Sequence, residues 1–191
     1  MSVNSEKILL PDVRLSYANI WRPRKFDDDS EPRFEATGLL DPTLEKHQKT
    51  IAKITSEFER ICKEQWGKVP QKLKGKPFGL ADEDELEYDG WAGMFYFAAN
   101  TKPTRPKIVD RNPNIVLTEE DGRPYAGCYV NLSVQMWADA RKVYGPRING
   151  TLRAIQFYRD GEAFSGAGPI NAADEFEDVS DEVDDGSFLD D

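Results

Sequence analysis

The sequence predicts a mainly β fold: a small five-stranded Greek-key barrel, one amphipathic helix inserted between its second and third strands, and a disordered acidic tail. Three observations predict it. Short runs of alternating apolar and polar residues recur, bounded by Gly, Pro and Asp turn signals. A single segment, about residues 42–67, repeats its apolar residues at helical spacing. Residues 174–191 hold ten acids and no base.

The first strand lies within residues 8–21. From Pro11 onward Val13, Leu15 and Tyr17 alternate with Asp12, Arg14 and Ser16, the pattern of a half-buried strand. A second strand spans 33–41, with Phe34, Ala36, Gly38 and Leu40 on one face. Asp41-Pro42 then suits a helix start, Asp as N-cap and Pro in the first turn. Leu44, Ile51, Ile54, Phe58 and Ile61 form the apolar stripe of that helix, which ends near Gly67; His47 is expected on its surface. Residues 68–89 form a connection, basic and then acidic. A strand follows Asp89-Gly90, a short one is expected at 115–117, and Glu120-Asp121-Gly122 reads as a hairpin turn. The clearest strand is 125–138, where Ala126, Cys128, Val130, Leu132, Val134 and Met136 alternate with polar or aromatic residues. A last strand runs over 151–159.

The chain has 191 residues, enough for one domain, 1–173, with an appended tail, 174–191. Net charge is −10, yet of 35 acids ten lie in the tail, so the other 25 balance the 25 bases of a neutral body. The tail is too acidic and too poor in apolar anchors to fold alone. Two cysteines, Cys62 and Cys128, read as free buried thiols of a reducing cytosol. With one histidine there is no zinc ligand set, and no cofactor motif is present. No run approaches the ~20 apolar residues of a membrane span, and the N-terminus lacks signal-peptide features. A cytoplasmic protein without a membrane partner is expected.

Residues 89–111 carry the functional signal. Trp91, Tyr96 and Phe97 precede Lys102, Arg105, Lys107 and Arg111, punctuated by Pro103 and Pro106. Aromatic faces beside cations are what a single-stranded nucleic acid requires, since bases stack and phosphates pair. The alternative is a core strand followed by a solvated loop. The theme recurs: Arg22, Arg24 and Lys25 follow Trp21; Tyr129 and Trp137 lie on the polar face of their strand; Arg141, Lys142 and Arg147 surround Tyr144. The candidate stacking residues are therefore Trp91, Tyr96, Phe97, Tyr129, Trp137 and Tyr144. The candidate phosphate contacts are Arg22, Arg24, Lys25, Lys102, Arg105, Lys107, Arg111, Arg141, Lys142 and Arg147.

Three segments carry a resemblance: PDVRLSYANIW, the block ending TKPTRPKIVD, and YAGCYVNLSVQMWA with the downstream ING and DGEAFSG. They resemble the single-stranded DNA-binding proteins of tailed phages, over most of residues 8–168. The resemblance implies an OB-fold, binding of single-stranded DNA without sequence preference, and a role in DNA replication or recombination in the infected host cell. It also implies that the acidic tail recruits replication or recombination proteins and competes with DNA. Phe176, Phe188 and Leu189 are the tail's apolar candidates for that contact. Asp190-Asp191 follow Phe188-Leu189, so the aromatic tip is internal.

No phosphate-binding glycine loop and no nucleophile elbow is present, so no enzyme is expected. Two other readings stay open: an acidic DNA mimic that inhibits a DNA-binding enzyme, and, more remotely, a metal-dependent nuclease.

Overall fold

The computed structural model describes residues 2–81, 90–141, 143 and 145–164. In chain order the elements are β1 (Ile8–Arg24), β2 (Arg33–Leu40), α1 (Glu45–Trp66), β3 (Phe78–Leu80), β4 (Phe95–Thr101), β5 (Lys107–Val109), β6 (Tyr129–Asp139) and β7 (Arg147–Arg159). The sheet order is β3-β4-β2-β1-β6-β7-β5. A parallel pairing of Asn100 on β4 with Thr151 on β7 closes it. β1, β2, β4, β7 and β6 thus make a closed five-stranded barrel, with the connectivity of an OB-fold. Gly150 makes the closure possible: a Cβ there would lie 2.5 Å from the carbonyl oxygen of Ala98. Any side chain would hold β7 away from β4.

The barrel interior follows the alternation of β6. Val130, Leu132, Val134 and Met136 are fully buried against Ile8 and Leu10 of β1 and Phe97 of β4. That strand begins at Tyr129, later than its sequence pattern suggests, because 125–128 form a turn. β1 departs from simple alternation. Asp12 and Tyr17 have positive φ, 48° and 46°. The register shifts between Leu10 and Val13 against β6, and between Ser16 and Asn19 against β2. Each shift acts as a bulge that bends the strand, so β1 can serve both neighbours. The second bulge turns Tyr17 outward, 39% exposed, where the sequence pattern had placed it inward with Val13 and Leu15.

α1 packs on β1 and β6, burying Ile54, Ile61 and Cys62. It starts at Glu45, later than expected. Asp41 does not cap it; its Oδ1 accepts bonds from the Thr43 N–H (2.8 Å) and Oγ1 (2.6 Å), a local turn that competes with helix. Leu44 thereby falls outside the helix and is exposed. Burial raises both free thiols, Cys128 to about 12, so neither is a poised nucleophile.

His47 is buried, 2% exposed, contrary to the surface position expected for it. Its Nδ1 accepts the Asp41 N–H at 2.9 Å, and its Nε2 lies 2.9 Å from the Pro11 carbonyl, to which it donates. Beside it Lys46 pairs with Asp12. The pair of residues pins α1 to the first bulge of β1. We expect His47→Ala to lower stability by about 2–3 kcal/mol through orphaned backbone groups and a cavity. A melting temperature equal to that of the parent chain would show that the anchor is unimportant.

Two smaller expectations also change. Residues 115–117 form no strand; Val116 makes one isolated bridge to Val109, and Ile115 and Val116 are exposed. Residues Glu119–Asp121 form a 3-10 turn, closed reciprocally by Thr118 and Asp121, in place of a hairpin turn.

Candidate nucleic-acid interface

The outer face of β1, β2 and β4 carries an aromatic group assembled from distant parts of the chain. Trp91 lies between Tyr17 and Tyr96, with ring centroids 5.9 Å and 5.0 Å away. Its indole Nε1–H donates to Ser16 Oγ at 3.1 Å. Because Trp91 is only 5% exposed, it supports the two tyrosines and does not itself offer a face. Tyr96 is half-buried, projecting outward from β4 between the inward Phe95 and Phe97. Phe97 is fully buried inside the barrel and stacks near Phe78. Of the sequence candidates in this stretch, Trp91 and Phe97 are therefore structural, and Tyr96 remains.

One end of this face is built by the β1–β2 connection and the segment after β4. β4 is antiparallel to β2, with Thr101 opposite Phe34, so residues 102–106 meet the loop 25–32. Lys102 pairs with Glu31 there, which holds the Glu31 carboxyl below its usual range. The Arg105 guanidinium sits 5.7 Å from the ring of Trp21. Arg22 pairs with Glu119 at 3.2 Å, while Arg24 and Lys25 are exposed. Phe26 follows them and is 83% exposed. Its loop is ordered: the N–H groups of Phe26 and Asp27 donate to Ser30 Oγ at 2.9 and 3.0 Å.

The β6–β7 connection builds the other end. β1 and β6 are antiparallel, Ile8 facing Val134 and Arg14 facing Tyr129, so their C-terminal ends point in opposite directions. Arg141 clasps Asp139 through Nε (2.9 Å) and Nη2 (2.6 Å), and the Asp139 carboxyl is held below its ordinary range by that guanidinium. Arg147 opens β7 and bridges Gly75. Lys68, Lys72, Lys74 and Lys76 are exposed in the connection between α1 and β3, which pairs with the start of β7 through Lys74 N–H to Pro146 O and Ile148 N–H to Gly75 O. Lys142 and Tyr144, and the tail candidates Phe176, Phe188 and Leu189, lie outside the described residues.

Other candidates sit away from the aromatic face. Lys107 is exposed on β5, and Arg111 donates to the Tyr158 carbonyl at 2.9 Å. Tyr129 is capped by Arg159, whose guanidinium lies 3.4 Å from the ring centroid and is held by Asp12 at 3.1 Å. Trp137 is half-buried on the outside of β6, across from Asn149 and bridged to Asn4.

Sequence reasoning missed one residue of this face, Tyr17, because its bulge reverses the face it occupies. It also passed over Phe26, whose exposed ring lies beyond the aromatic face, in the turn of the β1–β2 connection.

Among the described residues no group of three or more His, Cys, Asp or Glu side chains is placed to hold a metal ion, and no helix is long and apolar enough to cross a membrane.

A family model described as Enterobacter phage Enc34, ssDNA-binding protein, matches residues 6–188. A relative from Acyrthosiphon pisum secondary endosymbiont phage 1, putative protein p50, is 35% identical over 181 residues, covering 91% of this chain and 94% of its own. The single-stranded DNA-binding protein from bacteriophage Enc34, solved in complex with ssDNA, matches with a TM-score of 0.73 at 23% identity, over 83% of this chain and 89% of that one. A second structure of the Enc34 protein gives 0.70 at 23% identity, over 90% of each chain. These structures share the fold.

Proposed function

This chain belongs to the family of the Enterobacter phage Enc34 ssDNA-binding protein, and we propose that it coats single-stranded DNA during phage replication or recombination, in the cytoplasm of the host cell. The family is one of binding proteins, not enzymes. The observation that carries the reading is the aromatic face of Tyr17, Trp91 and Tyr96 lying between two cation-bearing ends. OB-folds receive oligonucleotides on this side of the barrel, between these two loops. Tyr17 and Tyr96 stack bases. Arg24, Lys25, Lys102 and Arg105 receive phosphates at one end, and Arg147 with Lys74 at the other. Trp137, Tyr129 and the cations Lys107 and Arg111 lie along β5–β7 and lengthen the path only if the strand wraps the barrel.

The tail acts on this face. Phe164, the last described residue, donates its N–H to Ala126 O at 3.1 Å, and its ring lies under the Arg14 guanidinium at 4.4 Å. A Cβ on Gly90 would come within 2.8 Å of the same ring. Phe164 thus packs beside Gly90, the neighbour of Trp91, which supports a tail that acts on this face. Phe176, Phe188 and Leu189 serve as the contact for replication or recombination proteins.

The test is a salt-titrated binding measurement with labelled oligo-dT and a duplex of equal length. Preference for the single strand is expected, because only unpaired bases offer faces to Tyr17 and Tyr96. Equal affinity for both, or none for either, removes the reading.

A further inference from the structure

The two ends of the barrel are complementary in shape and charge. At the β6–β7 end an apolar groove of about 500 Å³ opens between the C-terminus of α1 and the β6–β7 loop. Trp66, Pro70, Ala140, Gly145 and Pro146 line it, with Lys68 and Arg141 at its margin. Val69 and Val143 beside it are also exposed. At the opposite end Phe26 projects from an ordered turn, and Asp27, Asp28 and Asp29 follow it, all exposed. A bare Phe ring followed by three acids matches an apolar groove lined in part by Lys68, with the Lys74 stem against its Gly145.

We propose that Phe26 of one copy seats in the Trp66–Pro146 groove of the next copy along the same DNA strand. The proposal rests on the single-strand-coating reading above, since DNA supplies the alignment. A strand laid across β2 and β4 runs from one end loop to the other, so adjacent copies bring unlike ends together. A contact between unlike patches at opposite ends does not close on itself; it propagates as a linear array. Coating is then cooperative without any extra domain. Burial of one aromatic ring against apolar walls supplies the attraction. The facing acids and lysines set its direction and make it sensitive to salt.

The full-length chain tests this in two ways. Phe26→Ala is expected to bind an oligonucleotide holding one copy as tightly as the parent, yet to need about tenfold more protein to saturate long poly-dT, the effect of losing one buried Phe per contact. Pro70→Glu, which puts an acid in the groove, is expected to do the same. Equal losses on short and long DNA would make Phe26 a stacking residue and overturn the contact. Unchanged cooperativity in either variant would also overturn it, and tighter short-oligonucleotide binding by Pro70→Glu would assign the groove to the tail instead.

The second test reads the contact directly, with poly-dT and without it, and separates this proposal from the functional reading. Because Cys62 and Cys128 are buried, a short bis-maleimide should react only at engineered thiols. A mixture of Phe26→Cys and Pro70→Cys chains should give crosslinked dimers, whereas either alone should give few. Absence of the mixed dimer sinks the contact even if single strands bind well. Its presence with no binding to single strands would leave the contact standing and overturn the coating role.

Discussion

A chain ending at residue 173 is expected to bind oligo-dT about tenfold more tightly than the full chain at 50 mM salt, a gap that closes by about 1 M. The removed segment carries ten acids and no base. The proposed role follows from tethering: the last described residue, Phe164, packs beside Gly90, and charges carried on the same chain act at high local concentration on cations within reach. Screening sets the salt dependence, since the Debye length falls to about 3 Å at 1 M. The body should show a second, larger salt effect of its own. Five phosphates neutralised on a single strand give a log–log slope of about −3.5, or roughly a hundredfold loss between 50 and 200 mM. The two slopes separate the roles. If truncation leaves low-salt affinity unchanged, the tail does not compete with DNA, although it can still recruit partners. If the body itself shows a flat response, the cations around Lys102, Arg105 and Arg147 do not meet phosphates.

The sequence exposed those parts of the fold that depend on neighbours along the chain. β6 shows them best: a strict period of two puts Val130, Leu132, Val134 and Met136 inside, and all are fully buried. The stripe of α1 likewise buries Ile54 and Ile61. Features set by distant partners stayed hidden. His47 looks like a surface residue because its neighbours are charged; its partners are the backbone of Pro11 and Asp41, reached only when α1 folds onto β1. Trp91 reads as an exposed aromatic until Tyr17, Ser16 and Tyr96 arrive from two other strands. Positive φ at Tyr17 carries no mark in residue type, and at Asp12 only the faint one of a side chain that visits that region occasionally. One bulge is enough to reverse the face of every residue beyond it. The site was thus legible as a composition, aromatics beside cations, and not as a geometry.

That distinction determines which aromatic substitution should matter most. Replacing Tyr17 and Tyr96 together with Ala is expected to weaken binding to single strands by about a hundredfold while the domain stays folded, with a modest loss of melting temperature because both rings pack on Trp91. Each stacked base is worth roughly 1–3 kcal/mol, and the sum falls short of additive because both rings lean on Trp91. Trp91→Ala should behave in the opposite way. Its ring is buried and its Nε1–H is bonded to Ser16, so the loss falls first on stability, by about 3 kcal/mol. Trp137→Ala, on the outside of β6, should cost little stability and only as much affinity as a strand wrapped around the barrel would require. A double tyrosine variant of full affinity, together with a Trp137→Ala chain that no longer binds, would move the DNA from the β1–β2–β4 face to the β6–β7 face. In that case Arg159 would have to swing off Tyr129 to open a second stacking position, at the expense of its bond to Asp12. Binding at the β1–β2–β4 face instead leaves Arg159 on Tyr129 and bonded to Asp12, so the two placements predict different responses to Arg159→Ala.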